Sequence, residues 1–168
     1  MKILKSISMR NWKCSFWKKY IYSSSWIVHI GQVFNSKMNK LEIIDCMLQV
    51  AQENIRKEIL EAEFVADMAD ETTDVANCYQ MTTVFRYILP NGRSVECFWN
   101  FVTPSDHDAV SLSECVKTNS IKVLDKPEKL IAQSYDGASV MSGRHGGVQA
   151  LIQRDYIYAY FIHVMPTS

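Results

Sequence analysis

The sequence predicts a mixed α/β domain in which a leading helix is followed by strands and helices in the order β-β-β-α-β-α-β. Three observations support this fold class. A helical repeat of apolar residues starts at residue 41, two strand-like runs flank an Asn-Gly turn, and two later apolar runs alternate with helical segments. At 168 residues, 48% of them hydrophobic, the chain can form one hydrophobic core but is short for two. We expect a single domain over residues 36–168, behind a poorly ordered basic and aromatic leader over residues 1–35.

The leading helix is predicted from apolar side chains that recur every three or four residues, at Ile44, Met47, Leu48, Ala51 and Ile55. Charged and polar residues occupy the opposite side of the same segment. Such an amphipathic repeat indicates a helix of about 20 residues with one side turned toward a core.

The first three strands are predicted directly after this helix. Residues 64–69 form a short apolar run interrupted by Asp67, and residues 81–89 and 94–102 are rich in β-branched and aromatic side chains. Pro-Asn-Gly at residues 90–92 separates the last two runs. Because Asn-Gly tolerates positive φ, we expect these two strands to form a hairpin.

The remaining elements alternate between helix and strand. They are predicted as a helix over about residues 105–121, a strand over residues 129–135, a helix over residues 146–154 and a strand over residues 156–164. The first of these helices has Ser105 or Asp106 as its predicted N-cap and is weakened by Thr-Asn-Ser at residues 118–120. The complete order of elements is that of an RNase H-like domain.

Two acid-bearing segments stand at the predicted ends of strands. MADETTDV at residues 68–75 places Asp70 at the end of the first strand, and QSYDGASVMSG at residues 133–143 places Asp136 at the end of the fourth. Carboxylates at neighbouring strand ends can share divalent metal ions, which is what two-metal phosphoryl chemistry needs. Both acids also fit a second interpretation, because an Asp followed by Thr or by Gly-Ala-Ser suits an Asx-turn or a helix N-cap.

Other side chains are weaker candidates for a functional site. Asp67 is out of phase with Asp70 and is expected to be a surface or edge acid, while His163 is expected to lie in the core. The glycine-rich residues 137–147 lack the spacing of a P-loop, which leaves Arg144 as a candidate phosphate contact. Five scattered cysteines without a CxxC motif indicate neither a zinc site nor a disulfide framework.

The net charge of zero hides an asymmetry along the chain. Residues 1–40 contain eight Lys and Arg and no acid, whereas residues 41–168 contain ten bases and all eighteen acids. A basic arm with interleaved aromatic side chains can contact phosphates and stack on bases. Lys13, Lys18 and Lys19 are therefore candidate nucleic-acid contacts, and we expect weak, sequence-independent binding to DNA.

No segment predicts export or membrane insertion. The N-terminal residues lack the apolar core of a secretory signal, and no apolar run approaches the roughly 20 residues that cross a bilayer. We expect a protein of the nucleus or cytoplasm that is not secreted and does not bind a membrane.

Residues 36–163 resemble the N-terminal half of the catalytic domain of hAT-superfamily transposases, and within that superfamily the branch that includes zinc finger MYM-type protein 1-like proteins. The resemblance covers about three-quarters of the chain. It is carried by blocks in the same order: SKMNKLEIIDCM (residues 36–47), FVADMADETTDV (64–75), FRYILPNGRSVECFWNFV (85–102) and QSYDGASVMSGRHGGVQALI (133–152). It implies an RNase H-like fold, in agreement with the order of elements.

The resemblance also implies a catalytic site. In hAT transposases a DDE triad binds two magnesium ions and drives cleavage and transfer of DNA strands, and here Asp70 matches the first acid and Asp136 the second. The third acid, a Glu, lies further downstream than this sequence extends, and Val164 stands after His163 where the family has Cys. We therefore expect a truncated domain, incomplete at the C-terminus, that uses Mg²⁺ only if activity remains.

Three functions are consistent with the sequence. The chain is a fragment of a hAT-type transposase or a domesticated derivative without independent activity, a metal-dependent DNA nuclease or transposase subunit completed by another chain, or a non-catalytic protein-interaction module. We favour the first, because a cooperating set of acids that lacks one member loses most of its rate.

Overall fold

A computed structural model of the chain describes residues 40–73, 78–136 and 138–163. The predicted leader, residues 1–35, lies outside these residues. The chain divides into two compact units, of which the first ends at Asn54 and the second begins at Ile55. No helix in the described ranges is both long and apolar enough to cross a membrane.

Helix α1 extends over Lys40–Glu61, close to the length predicted from its amphipathic repeat. Its first part belongs to the first unit, where Ile44 and Leu48 are exposed. Its last part belongs to the second unit, where Ile55 and Ile59 are buried. The apolar repeat therefore marks a helix whose C-terminal turns pack into the core of the second unit.

The second unit is built on a five-stranded mixed sheet in the order β3-β2-β1-β4-β5. Its strands are β1 (Val65–Thr73), β2 (Tyr79–Ile88), β3 (Ser94–Val102), β4 (Leu130–Ser134) and β5 (Tyr160–Phe161). Strands β1, β2 and β3 pair antiparallel, whereas β4 is parallel to β1 and β5 is parallel to β4. This arrangement confirms the predicted RNase H-like α/β fold.

The hairpin between β2 and β3 forms as the sequence predicts. Gly92 has a φ of 80°, a conformation that a residue with a Cβ rarely adopts. The N–H of Gly92 donates to the carbonyl of Leu89 at 2.8 Å, and the N–H of Leu89 donates to the carbonyl of Arg93 at 3.0 Å. The side-chain oxygen of Asn91 accepts from the N–H of Arg93 at 3.1 Å. Asn91 thus stabilises the chain reversal through its side-chain hydrogen bond, and Gly92 through its positive φ.

Three further helices follow the hairpin along the chain. They are α2 (Ala109–Val123), α3 (Ser139–Ser142) and α4 (Val148–Asp155), and a 3₁₀ turn at Pro127–Lys129 precedes β4. The predicted N-cap of α2 at Ser105 or Asp106 is wrong. Asp108 is the N-cap, because its side chain accepts from the N–H of Ser111 at 2.7 Å.

Helix α2 continues through Thr-Asn-Ser at residues 118–120, where the sequence predicts a weak point. Tertiary hydrogen bonds explain the difference. Buried Asn119 donates to the Thr83 hydroxyl at 2.8 Å and exchanges side-chain hydrogen bonds with Asn100 at 3.0 and 3.1 Å. These contacts tie α2 to β2 and β3 and outweigh the low helix propensity of Asn.

The two sides of the sheet differ in what covers them. Ala69 pairs with Thr83, whose hydroxyl accepts a hydrogen bond from α2. Asp67 pairs with Gln133, whose amide donates to the Gln149 carbonyl of α4. We call this side, which carries odd-numbered β1 residues, the helical face. The opposite side, which carries Met68 and Asp70, is the Asp70 face. Strand alternation therefore sends Asp67 and Asp70 to opposite faces.

The C-terminal part of the sheet is shorter than predicted. Residues 156–164 are predicted as one apolar strand, but in their described part, residues 156–163, the strand is limited to Tyr160 and Phe161, which pair with β4. The N–H of Tyr156 donates to the Ile152 carbonyl and closes α4, and the following turn leaves little chain for the strand. The prediction of a core histidine is also wrong: His163 is exposed and contacts only the edge of Phe161 among the rings described, with centroids 4.8 Å apart.

Candidate functional site

Asp70 lies inside β1, three residues before its last residue, and not at the strand end that the sequence predicts. The strand continues because Glu71, Thr72 and Thr73 keep pairing with β2. Asp70 itself pairs with Thr82 and is only 5% exposed. Its carboxylate is therefore presented from the middle of a regular strand, which fixes its backbone position.

Asp136 follows β4 by two residues, and the register of the sheet sets it beside Asp70. The last pair of the β1–β4 ladder is Met68 with Ser134. One further step of two residues along each parallel strand reaches Asp70 and Asp136, and a step of two keeps side chains on the same face. Burial raises the pKa of Asp70 above its ordinary value, and the nearby charge of Asp136 raises it further. The structure thus brings together the two acids singled out from the sequence.

The turn-capping interpretation fits one of these acids. Asp136 accepts a hydrogen bond from the backbone N–H of Ala138 at 3.2 Å, as in an Asx-turn. That contact uses one of its two carboxylate oxygens. Asp70 has no comparable role in a turn, because it lies within a strand. An Asx-turn therefore accounts in part for the presence of Asp at position 136, but it does not account for the buried Asp70.

Two aromatic residues lie at the same end of the sheet as Asp136 and are missed by the sequence interpretation. Tyr79, at the start of β2, packs on the exposed ring of His107 with centroids 3.9 Å apart. Burial raises the pKa of Tyr79, and the carboxylates of Glu71 and Asp136 add to the effect. The sequence prediction starts the second strand at residue 81. A strand that begins at Tyr79 pairs this residue with Thr73 and so sets it at the end of the sheet where β1 ends.

The expectation that Asp67 is a surface or edge acid is wrong. It is correctly out of phase with Asp70, but its exposed fraction is 0%. Asp67 lies on the helical face between Phe85 of β2 and Gln133 of β4. Burial raises its pKa to about 7, against smaller lowering effects from the Met68 backbone and the Tyr135 hydroxyl. No alternation pattern could reveal this, because burial here depends on α2 and α4.

The predicted nucleic-acid contacts are described only in part. Arg144 is exposed in the turn between α3 and α4, beside exposed His145. Arg154 donates from its guanidinium to the His145 carbonyl at 3.3 Å, so a second cation lies close to this turn. Lys13, Lys18 and Lys19 lie outside the described residues.

The acid pair supplies ligands of the type that magnesium prefers, but few of them. Asp70 and Asp136 offer carboxylate oxygens from adjacent strands, whereas Mg²⁺ takes six oxygen ligands in near-octahedral geometry. In the part of the chain that the structure describes, no group of three or more His, Cys, Asp or Glu side chains could hold a metal ion. A cation held by this pair would therefore have to take its other ligands from water, phosphate or another chain.

Comparison with solved structures finds similarity to nucleases. The chain is similar to endonuclease V from Ciona intestinalis in complex with a 23mer DNA containing an inosine followed by a ribo-adenosine, with 14% identity, a TM-score of 0.40, and 75% of this chain and 58% of that chain covered. It is also similar to human ENDOV, with 10% identity, a TM-score of 0.33, and 73% and 60% coverage. The chain thus spans less than two thirds of the length of these proteins.

A comparison with curated proteins gives no match. A family model described as "ZMYM1/FAM200, RNase-like domain" (DUF4371) matches residues 27–147, which is more than half of the chain and includes both Asp70 and Asp136. The match agrees with the sheet order and with the family branch that the sequence blocks resemble. The chain belongs to the ZMYM1/FAM200 RNase-like domain family.

Proposed function

We propose that this nucleic-acid-related RNase-like domain derives from a hAT-type transposase and does not cut DNA by itself. The observation that supports the proposal is the β1–β4 register, which aligns Asp70 with Asp136 on one face of the sheet. Parallel alignment of two acids at this point is what a metal-dependent strand transferase needs. In the described residues no third His, Cys, Asp or Glu joins these two acids in a group that could hold a metal ion, and two carboxylates alone support little catalysis.

Asp70 and Asp136 would hold the divalent cation, because the β1–β4 register sets both carboxylates on one face of the sheet. When bound, a divalent metal polarises a phosphoryl oxygen and lowers the pKa of bound water. Two carboxylates alone hold Mg²⁺ weakly, because the ion keeps most of its waters and dehydrates reluctantly. Asp136 is further engaged with the Ala138 N–H, which favours the turn over metal capture.

A plasmid-nicking assay tests the absence of independent catalysis. The full chain is incubated with supercoiled DNA and Mg²⁺ or Mn²⁺, beside the variants Asp70→Asn and Asp136→Asn. We expect the same background level of nicking in all three proteins. Metal-dependent nicking by the wild type that both variants lose would contradict the proposal and identify a metal-dependent nuclease.

DNA association is the second part of the proposal. Arg144 and the lysines of the leader are its candidate contacts, and phosphate contacts of this kind give affinity that falls steeply with salt. We expect the wild type to bind duplex DNA weakly, and Arg144→Ala to reduce the slope of log affinity against log salt by about 1. Deletion of residues 1–35 should reduce it further. Salt-independent affinity that neither change alters would contradict DNA contact through these residues, and saturable binding to a protein instead would favour an interaction module.

A further inference from the structure

A group of buried polar atoms on the helical face has too few hydrogen-bond donors. Four buried polar atoms make no hydrogen bond of normal geometry with the described residues. They are both carboxylate oxygens of Asp67, the Oε1 of Gln133 and the hydroxyl oxygen of Tyr135. Asp67 and Gln133 are paired across β1 and β4, and Tyr135 is two residues further along on the same face. The three side chains therefore line one enclosed polar site.

The orientation of the Gln133 amide is determined by its other contacts. Its Nε2 donates to the carbonyls of Gln149 at 3.0 Å and Ala159 at 2.7 Å, which uses both of its N–H groups. Its Oε1 must therefore face away from those carbonyls and accept from some other donor. Tyr135 carries the single hydrogen available in the group, and Asp67 carries none when ionised. Even if the Met68 N–H and the Tyr135 hydroxyl both turned toward an ionised Asp67, the Oε1 of Gln133 would be left without a donor.

The charges around Asp67 also disfavour an ionised carboxylate. Among the described residues, the ionisable groups that face it are Tyr135, which directly follows β4, and Tyr156, which follows α4, and neither is a cation. On β2 its paired neighbour is Phe85. A fully buried carboxylate without a cation is costly, and burial accordingly raises the pKa of Asp67 to about 7.

We propose that the Asp67 carboxyl is an internal proton-binding site, which holds one proton in the folded protein and releases it when the chain unfolds in neutral solution. The bound proton turns Asp67 into a hydrogen-bond donor, which corrects the shortage of donors. It also removes the buried negative charge. This role is separate from the function proposed for Asp70 and Asp136, which lie on the other face of the sheet.

The proton links stability to pH in a defined direction. Folding raises the pKa of Asp67 from 3.8 to about 7. The stabilisation is fully present below the unfolded value and is lost as the pH rises through the folded value. The folded protein should therefore lose stability as the solution passes from acidic to neutral, which is the opposite of the trend produced by a salt-bridged Asp.

The direct test is an NMR titration of the side-chain carboxyl carbon of Asp67 in the full chain, assigned by its loss in Asp67→Asn. We expect a midpoint near neutral pH in the wild type. In Tyr135→Phe the midpoint should move to higher pH, because the Tyr135 hydroxyl favours the ionised form. A midpoint at the ordinary value of about 4 would overturn the proposal.

Thermal unfolding supplies an independent readout with a matched control. Between about pH 5 and about pH 8, the melting temperature of the wild type should fall by about 5 °C more than that of Asp67→Asn, whose amide N–H replaces the proton. Asp45→Asn changes an exposed acid on α1 and should behave as the wild type does. Equal pH dependence in all three proteins would overturn the proposal.

Discussion

Strand β1 carries two buried acids, Asp67 and Asp70, that are alike in residue type, burial and direction of pKa shift but differ in their neighbours. Asp67 faces the helices and has Gln133 as its paired residue on β4. Asp70 faces the other way and has Asp136, two residues past the end of β4, at the corresponding place. A second acid favours capture of a cation, whereas an amide and a phenol favour a proton. In the two proposals above, the neighbouring side chain contributed by β4 or the residues just after it, and not the degree of burial, distinguishes the chemistry of these two carboxylates.

The largest expected effect tests whether the helical face is the packed side of the sheet. Phe85, paired with Asp67, is 0% exposed, and Phe101, paired with Thr82 on the Asp70 face, is 51% exposed. Phe85→Ala should lower the free energy of unfolding by about 3–5 kcal/mol through lost burial and a residual cavity. Phe101→Ala should cost less than about 1 kcal/mol. Chemical denaturation of both variants measures the difference, and equal losses would contradict the distinction between the faces.

The next effect concerns the proton on Asp67. Between about pH 4 and about pH 7, the free energy of unfolding of the wild type should include a contribution from Asp67 that falls by roughly 1 kcal/mol for each pH unit. Asp67→Asn should abolish that contribution and leave a protein more stable than the wild type at about pH 8. Denaturant titrations at several pH values measure this. A wild-type advantage over Asp67→Asn that grows as the pH rises would show instead that the acid is needed in its ionised form.

A smaller effect is expected at the start of α4, the helix that accepts a hydrogen bond from Gln133 beside Asp67. A Cβ at Gly147 would lie 2.7 Å from the Gly143 carbonyl oxygen, whereas a Cβ at Gly146 would meet nothing within 4 Å. Gly147→Ala should therefore cost about 1–3 kcal/mol because backbone must move, and Gly146→Ala should be near neutral. Thermal melts of this adjacent pair provide the comparison. A harmless Gly147→Ala would show that the start of α4 is loosely held.

Much of the fold follows from local sequence signals. Residues 94–102 match β3 at both ends because a turn with Asn-Gly precedes the strand and Pro104 follows it. The length of α1 follows from its repeat in the same way. The extent of the final strand does not follow from local signals. Its long apolar run does not reveal the turn after α4, and in the described residues the strand is limited to Tyr160 and Phe161.

The candidate site is predictable in its residues but not in its surroundings. Asp70 and Asp136 stand out because each is an acid next to an apolar strand, and their family motifs mark them again. The burial of Asp67 depends on helices far away in sequence, and the contact between Tyr79 and His107 depends on loop packing. Such long-range contacts leave no periodic signal in a single sequence.

The most direct test of the two-face account is a titration of the full chain with Mn²⁺, followed by electron paramagnetic resonance of the free ion. We predict weak binding by the wild type that falls about tenfold or more in both Asp70→Asn and Asp136→Asn, since each loses a negative charge next to the cation. Asp67→Asn should bind Mn²⁺ as the wild type does, because Asp67 lies on the other face of the sheet. Loss of binding in Asp67→Asn, or unchanged binding in Asp70→Asn, would contradict the account.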